Sequence, residues 1–150
     1  MEFNIYQGEK IIVQSLGKDY LLGEIQKGIK YRIKLFNKDL IILEWALPAI
    51  LVFRSVNIIY QNLPLPIFNA KHKGVLGFEL QYGDNTIFIK VRPLRKTYCF
   101  LYSNGEKIGE VYFAKKLTLG YRQFIISTSI EDETTNLYVI ISFLLKLIPV

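Results

Sequence analysis

The stretch NLYVIISFLLKLIP, from Asn136 to Pro149, is the strongest indication of the fold in this chain. A transmembrane helix needs about 20 predominantly apolar residues. Here the uncharged run covers residues 134–145, and Lys146 interrupts it. A helix formed by this stretch would be apolar on nearly every side, so other parts of the chain would have to surround it. The stretch therefore predicts an enclosed C-terminal helix rather than a membrane anchor.

Signals for the two ends of this helix lie directly beside the apolar run. Glu131, Asp132 and Glu133 precede it, and acidic residues stabilise the exposed amides and the positive dipole end of a helix N-terminus. Pro149 is a helix stop. These signals predict a helix over residues 133–148. The acidic triplet lacks the spaced ligands of a calcium loop, so helix capping accounts for it better than cation binding.

The rest of the chain has the composition and patterning of β-strands. The whole chain contains 10 Tyr and 10 Phe, and these flat side chains pack well on a pleated surface. In the predicted strand over residues 30–36, residues 30–35 alternate strictly between basic and apolar side chains, as a half-buried strand does. Residues 62–73, with Pro64 and Pro66, are the best candidate for a loop. The predicted strands cover residues 9–14, 30–36, 40–45, 51–60, 75–82, 86–92, 97–102, 107–113 and 121–128.

Turn signals recur every eight to twelve residues, which is typical of an all-β sandwich or barrel. Asn104-Gly105 is the clearest of them, because a type I′ hairpin turn needs positive φ at both central residues. Gly83-Asp84-Asn85 predicts another compact hairpin connection. No linker or change of composition divides the chain, so residues 1–150 are expected to form one mainly β domain whose strands enclose the helix.

The chain carries a net charge of +6, with a pI of about 9.3. This balance favours contact with phospholipid headgroups or nucleic acid, although a moderate net charge also serves simple solubility. Apolar residues make up 51% of the chain, which argues against disorder. The N-terminus has no basic segment followed by an apolar run, so a secretory signal is not expected.

No pattern of catalytic or metal-binding residues stands out. Cys99, the sole cysteine, lies between Tyr98 and Phe100 and is expected to be a buried thiol in a reducing compartment. His72, the sole histidine, lies between two lysines and is expected to be exposed. A metal site or a serine hydrolase would need companions for this histidine that the chain does not supply. We therefore expect no enzyme activity, no cofactor and no metal.

The last third of the chain carries a resemblance to the superfamily of tubby C-terminal domains, phospholipid scramblases and plant LURP-one-related proteins. The resemblance is carried by a hairpin over residues 102–112, a strand around residues 121–127, a short acidic link and the apolar helix. It covers residues 74–150, and the N-terminal half matches only as a series of strands. The resemblance implies a closed antiparallel β-barrel of about twelve strands threaded by the helix. It also implies association with phosphoinositides or membrane lipid, although no headgroup-binding residue of that family can be aligned here.

Basic residues near the predicted strand ends are the candidates for a headgroup site, each near-surface cation contributing about 1 kcal/mol at an anionic membrane. The leading hypothesis is a non-enzymatic cytoplasmic module that binds anionic membrane lipid peripherally. A protein-interaction or structural scaffold is one alternative, and a binder of single-stranded nucleic acid is a less favoured one. Solvated loop charges with no ligand would also account for these residues. The candidates are Lys71, Lys73, Arg92, Arg95, Lys96, Lys115 and Lys116.

Overall fold

The computed structural model describes residues 1–7, 10–15, 18–25, 30–35, 38–45, 56–61, 68–93, 95–118 and 121–147. Side chains are described for residues 1–7, 11–15, 68–93, 95–114 and 122–147.

Within the described residues the chain forms twelve antiparallel strands and one helix, α1, which runs over Glu133–Leu147. Each strand pairs with its neighbours in sequence, except that β6 and β7 do not pair with each other, and β1 also pairs with β12. The strands form a single sheet with the order β6-β5-β4-β3-β2-β1-β12-β11-β10-β9-β8-β7. Their bounds are β1 Glu2–Gln7, β2 Lys10–Ser15, β3 Lys18–Ile25, β4 Lys30–Leu35, β5 Lys38–Trp45, β6 Val56–Gln61, β7 Phe68–His72, β8 Gly77–Tyr82, β9 Asn85–Val91, β10 Thr97–Ser103, β11 Glu106–Thr118 and β12 Tyr121–Thr128.

The sheet curls but does not close into the predicted barrel. The eight adjacent strands whose side chains are described in whole or in part, β1, β2 and β7 to β12, form a half-barrel with α1 on its inner side. Strands β6 and β7 are the edges of the full sheet. Their Cα atoms approach within 8 Å, but no hydrogen-bonded ladder joins them among the described residues. A closed barrel requires such a ladder between its first and last strands. The prediction of a closed barrel is therefore wrong, and the sheet is curled and open.

Most of the predicted strands are present, with changes at their ends. The predicted loop over residues 62–73 is wrong in its last part, because Phe68–His72 forms β7 opposite β8. Strands β1 and β3 were not predicted. The predicted strand over residues 51–60 is confirmed only as Val56–Gln61, and residues 51–55 lie outside the described part of the chain.

The Asn104-Gly105 turn has the backbone that its sequence predicts. Asn104 has a φ of 50° and Gly105 a φ of 85°, both in the left-handed region that a type I′ turn requires. The Asn104 side chain adds two hydrogen bonds across the turn, accepting from the Thr86 amide at 2.8 Å and donating to Asn85 at 3.0 Å. This turn therefore fixes the register of β10 and β11 and ties them to β9.

Helix α1 is enclosed along most of its length, as its sequence predicts. Every residue from Tyr138 to Leu145 has a relative exposure of 0%, a run of more than two full turns that includes every face of the helix. Its closest strand neighbours are β8 and β9. The Tyr138 ring stacks on Tyr82 at 3.8 Å between centroids, and Phe143 meets Phe124 edge to face at 5.3 Å. Within this run the Ser142 hydroxyl donates to the Tyr138 carbonyl at 2.7 Å.

The N-terminus of α1 is capped by the acidic link, as predicted. The Asp132 carboxylate accepts hydrogen bonds from the amide of Thr135 at 2.9 Å and from its hydroxyl at 2.6 Å. These bonds hold the pKa of Asp132 below its ordinary value, and the bond from the Thr135 hydroxyl makes the largest contribution. One turn later the buried Asn136 accepts from the Thr128 hydroxyl at 2.7 Å and donates to the Ile130 carbonyl at 2.8 Å. The helix start is thereby joined to the end of β12.

Replacing Ile141 by Asp is expected to unfold the protein, because the variant would bury an unpaired charge on a fully enclosed face of the helix. Val75→Asp is the matched control, because Val75 is 69% exposed. Circular dichroism and chemical denaturation should show a folded control and an unfolded Ile141→Asp variant. An unchanged unfolding transition in Ile141→Asp would show that the helix is not enclosed.

Replacing Asp132 by Ala should lower the free energy of unfolding by about 1 kcal/mol, because the helix loses its N-cap. Asp132→Asn should lose much less, because its amide oxygen still caps. Since the pKa of Asp132 is lowered in the fold, its ionised form stabilises above about pH 4, and this contribution disappears as the pH falls further. Urea titrations at pH 7 and pH 3 measure both effects. Equal stability of the Ala and Asn variants at pH 7 would contradict the capping role.

Candidate functional site: a basic end of the sheet

The up-and-down order of the strands places alternate turns at opposite ends of the sheet. One end holds the turn over residues 73–76, the turn between β9 and β10 and the C-terminus of α1. Gln7, at the end of β1, also lies there, because its side-chain amide reaches the Leu147 carbonyl at 3.4 Å. The opposite end holds the turns at residues 83–84 and 104–105 and the link into α1.

Most of the exposed charged side chains that the structure describes lie toward one of these two ends. Lys107 is an exposed cation near the second end, next to the turn at residues 104–105, and Glu79 is a partly buried carboxylate near the first. We call the first the basic end and the second the acidic end. At the acidic end the exposed acidic residues are Glu2, Asp84, Glu106, Glu131, Asp132 and Glu133. At the basic end the described cations are Lys71, Lys73, Lys90, Arg92, Arg95, Lys96, Arg122 and Lys146.

The predicted site residues of β7 and of the β9–β10 turn are brought together at the basic end. A hydrogen bond from the Val91 amide to the Leu76 carbonyl, at 2.7 Å, joins the two turns directly. Lys71, Lys73, Arg95 and Lys96 are exposed, and Arg92 is half-buried.

These cations differ in whether they already interact with a carboxylate or an aromatic ring of the protein. Lys73 lies 3.8 Å from the Glu79 carboxylate, and the Arg92 guanidinium lies over the Phe100 ring at 4.6 Å. Arg95 and Lys96 form no ion pair with a carboxylate of the described residues. Lys71 likewise has no ion pair among the described residues, but it lies on β7, whereas Arg95 and Lys96 lie in the turn itself, so these two are the cations best placed to meet an anionic partner.

The remaining two predicted residues, Lys115 and Lys116, lie on β11 opposite Gln123 and Arg122. Their backbone is at the basic end, and their side chains lie outside the described part of the structure. The neighbouring Phe113 donates its amide to the Lys96 carbonyl at 3.3 Å, which joins this strand to the β9–β10 turn. All seven predicted residues therefore share one end of the sheet.

The sequence prediction did not include several residues of this end. Lys90 is an exposed strand residue paired with Gly77, beside the turn over residues 73–76. Arg122, also exposed, lies at the start of β12, where its backbone is paired with Lys116 and Gln7. Lys146 donates to the Val75 carbonyl at 3.2 Å, and burial lowers its pKa. Val75 and Leu76 were assigned to a strand, yet they form a turn and are 69% and 46% exposed. The pattern Gly74-Val75-Leu76-Gly77, two apolar residues between glycines, was the signal for that turn.

His72 does not have the predicted exposure. Its side chain is 6% exposed and meets the Phe78 ring edge to face at 5.2 Å. On β7 it follows Phe68 and Ala70 in alternation, so it faces the core, while the flanking lysines face outward. In the described residues no cluster of His, Cys, Asp and Glu has the make-up of a metal site.

One described cleft, of about 500 Å³, lies against β11 and β12 and includes Lys107, Glu110 and Tyr112. Lys107 and the Tyr112 hydroxyl both donate to the Glu110 carboxylate at 2.5 Å. The bond from Lys107 makes the largest contribution to the lowered pKa of Glu110. Because these charged groups already satisfy one another, we assign no ligand to the cleft.

The described helix, at 15 residues, lacks the length that a helical crossing of a bilayer requires. Comparisons with protein families, with curated proteins and with solved structures give no match. The resemblance to tubby and LURP-one-related domains therefore stays a prediction.

Cys99 is buried, as predicted, with a relative exposure of 0%. Burial raises the pKa of its thiol from 9.0 to about 12. A disulfide-exchange reagent at pH 8 should therefore label the native chain far more slowly than the denatured chain, since the thiolate is the reactive form. Equal labelling rates in the presence and absence of denaturant would contradict the burial.

The same pKa shift predicts sensitivity to alkali. The fold disfavours the thiolate, so Cys99 does not reduce stability below about pH 9, and it destabilises the fold increasingly between about pH 9 and 12. Tyr138, whose pKa burial also raises to about 12, acts in the same direction.

Proposed function

We propose that this chain is a non-enzymatic module that binds anionic membrane lipid peripherally through the basic end of its sheet. The observation that supports this most is the separation of charge along the molecule. Exposed cations surround the turn over residues 73–76 and the turn between β9 and β10, and exposed carboxylates predominate at the opposite end, where the exposed Lys107 is paired with Glu110. An anionic surface would attract one end and repel the other, so the molecule would approach it in a single orientation.

Cations that already interact with other side chains have a different role in this proposal from cations that do not. Arg95 and Lys96 extend from the β9–β10 turn without a carboxylate partner among the described residues, so they can meet phosphate oxygens without first breaking an ion pair. Arg92 is held over Phe100, and Lys73 is held near Glu79. These two residues add to the positive potential of the surface.

Lipid is favoured over nucleic acid by the apolar side chains at this end. The most exposed of them are aliphatic, Val75 and Leu76, and they cannot stack on bases, whereas the ring of Phe113 is less exposed and packs against Phe124. Aliphatic groups beside cations suit the headgroup region of a bilayer, where an apolar surface and anionic groups lie next to each other.

Co-sedimentation with vesicles tests the proposal. The chain should sediment with vesicles containing phosphatidylserine, and not with pure phosphatidylcholine, at 0.1 M salt. The double variant Arg95→Gln, Lys96→Gln should have an apparent partition coefficient about 30-fold lower, because each lost cation removes about 1 kcal/mol of binding free energy. Higher salt should weaken binding, because exposed charges are screened.

The matched control is Asn69→Asp with Asn85→Asp. It lowers the net charge from +6 by the same two units, to +4, at exposed positions away from the basic turns. If both double variants lose binding equally, net charge rather than this surface drives association. If neither anionic vesicles nor a single-stranded oligonucleotide binds at low salt, a scaffold function is favoured over both alternatives.

A further inference from the structure

The turn between β7 and β8 presents two aliphatic side chains to solvent, Val75 and Leu76, which we call the apolar tip. Most of the large apolar side chains that the structure describes are buried, and the exposed ones are Met1, Val75, Leu76 and Phe113. Three of these four, all except Met1, lie at the basic end. The exposed apolar surface and the exposed cations therefore coincide.

The apolar tip is held in place on both sides. The Lys73 amide donates to the Gly77 carbonyl at 3.0 Å, which closes the turn. Gly74 adopts a φ of +74°, and a Cβ on Gly77 would lie 2.6 Å from the Lys73 carbonyl oxygen, so this tight turn needs both glycines. The Leu76 carbonyl accepts from Val91, and the Val75 carbonyl accepts from Lys146 at the end of α1. The two apolar side chains are thus fixed outward by a bonded backbone.

The surroundings of the tip are basic and partly apolar. Lys73 precedes it, and Lys90 is paired with Gly77 directly after it. The Val91–Leu76 hydrogen bond places the β9–β10 turn beside it, and Phe113 lies on the far side of that turn. Phe113 is 36% exposed, and its ring contacts Phe124 at 5.5 Å. Exposed apolar side chains therefore lie on both sides of the β9–β10 turn, which carries Arg95 and Lys96.

We propose that the apolar tip inserts into the interfacial layer of an anionic bilayer while the cations beside it contact the headgroups. This inference rests on the proposed function and adds to it a defined orientation and an inserted segment. Apolar side chains flanked by cations bind such an interface through burial of apolar area together with attraction to anionic lipid. In this orientation α1 ends toward the membrane, and the acidic end faces away from it.

A bilayer fits this surface better than a protein partner does. A stable protein interface buries about 800 Å² on each side, far more than two aliphatic side chains at a hairpin tip can supply. Insertion into a bilayer needs no complementary surface, and each apolar side chain removed from water contributes separately. The concentration of cations around the tip also matches an extended anionic surface.

A single fluorescent label tests the insertion. Cys99 is the only cysteine and is fully buried, so Val75→Cys adds one accessible thiol to the chain. It would be labelled with an environment-sensitive nitrobenzoxadiazole dye. On phosphatidylserine vesicles its emission should shift to the blue, and lipids with a nitroxide in the upper acyl chain should quench it. Asp84→Cys, in the exposed turn at the opposite end of the same sheet, is the matched control and should show neither effect.

Removing the aliphatic groups without changing charge provides the second measurement. Val75→Ser with Leu76→Ser should reduce the vesicle partition coefficient at least about tenfold. The binding that remains should be abolished by salt, whereas the unchanged chain should keep part of its binding in 0.5 M salt. Circular dichroism should confirm that the double variant is folded, as exposed positions allow.

The outcomes separate this inference from the proposed function. Suppose that the chain sediments normally with anionic vesicles, but the label at position 75 is not quenched and the serine variant binds as well as the unchanged sequence. These results would overturn insertion and leave surface binding intact. A blue shift that appears with protein concentration in the absence of vesicles would show that a second copy covers the tip, and it would also overturn insertion. If no vesicle sediments the chain, both proposals are wrong.

Discussion

The enclosure of helix α1 is the constraint on which the rest of the structure depends. Residues 138–145 are fully buried on every face, so no side of this helix can be left to solvent. A flat sheet covers only one side of a helix, whereas a curled sheet wraps several sides at once. The rings of Tyr82, Tyr138, Phe124 and Phe143 fill the space between sheet and helix. Curvature of the sheet and the apolar character of the helix therefore require each other.

This arrangement also determines where charges can lie. Inward positions of the strands are occupied by the core, so ionised groups are confined to outward positions and to the two open ends. Because the strands run up and down in sequence, every second turn meets at the same end. Acidic residues gather where α1 begins and basic residues where it ends, which matches the sign preferred at each end of a helix dipole. The separation of charge thus follows the direction of the enclosed helix.

Local signals in the sequence predicted local structure well. Asn104-Gly105, the Asp132 cap and the apolar stretch each act within a few residues, and the structure has them as predicted. His72 was predicted wrongly because its two lysine neighbours suggested exposure, whereas strand parity places it among core positions. Strand β7 was obscured by the prolines before it and by its length of only five residues. Closure was expected from a family resemblance, and the edge pairing that it needs is a long-range property.

The candidate site shows the same division between local and long-range information. The sequence identified most of the cations of the basic end, because each lies beside a strand end or a turn. Their convergence could not be predicted, since it depends on the register of several strands and on bonds such as Val91 to Leu76. Lys146 illustrates the limit most clearly. In the sequence it only interrupts an apolar run, whereas in the structure it bonds the Val75 carbonyl and so connects the enclosed helix to the exposed tip. One residue that makes a membrane-spanning helix improbable therefore also helps to build the surface through which we propose that the protein meets a membrane.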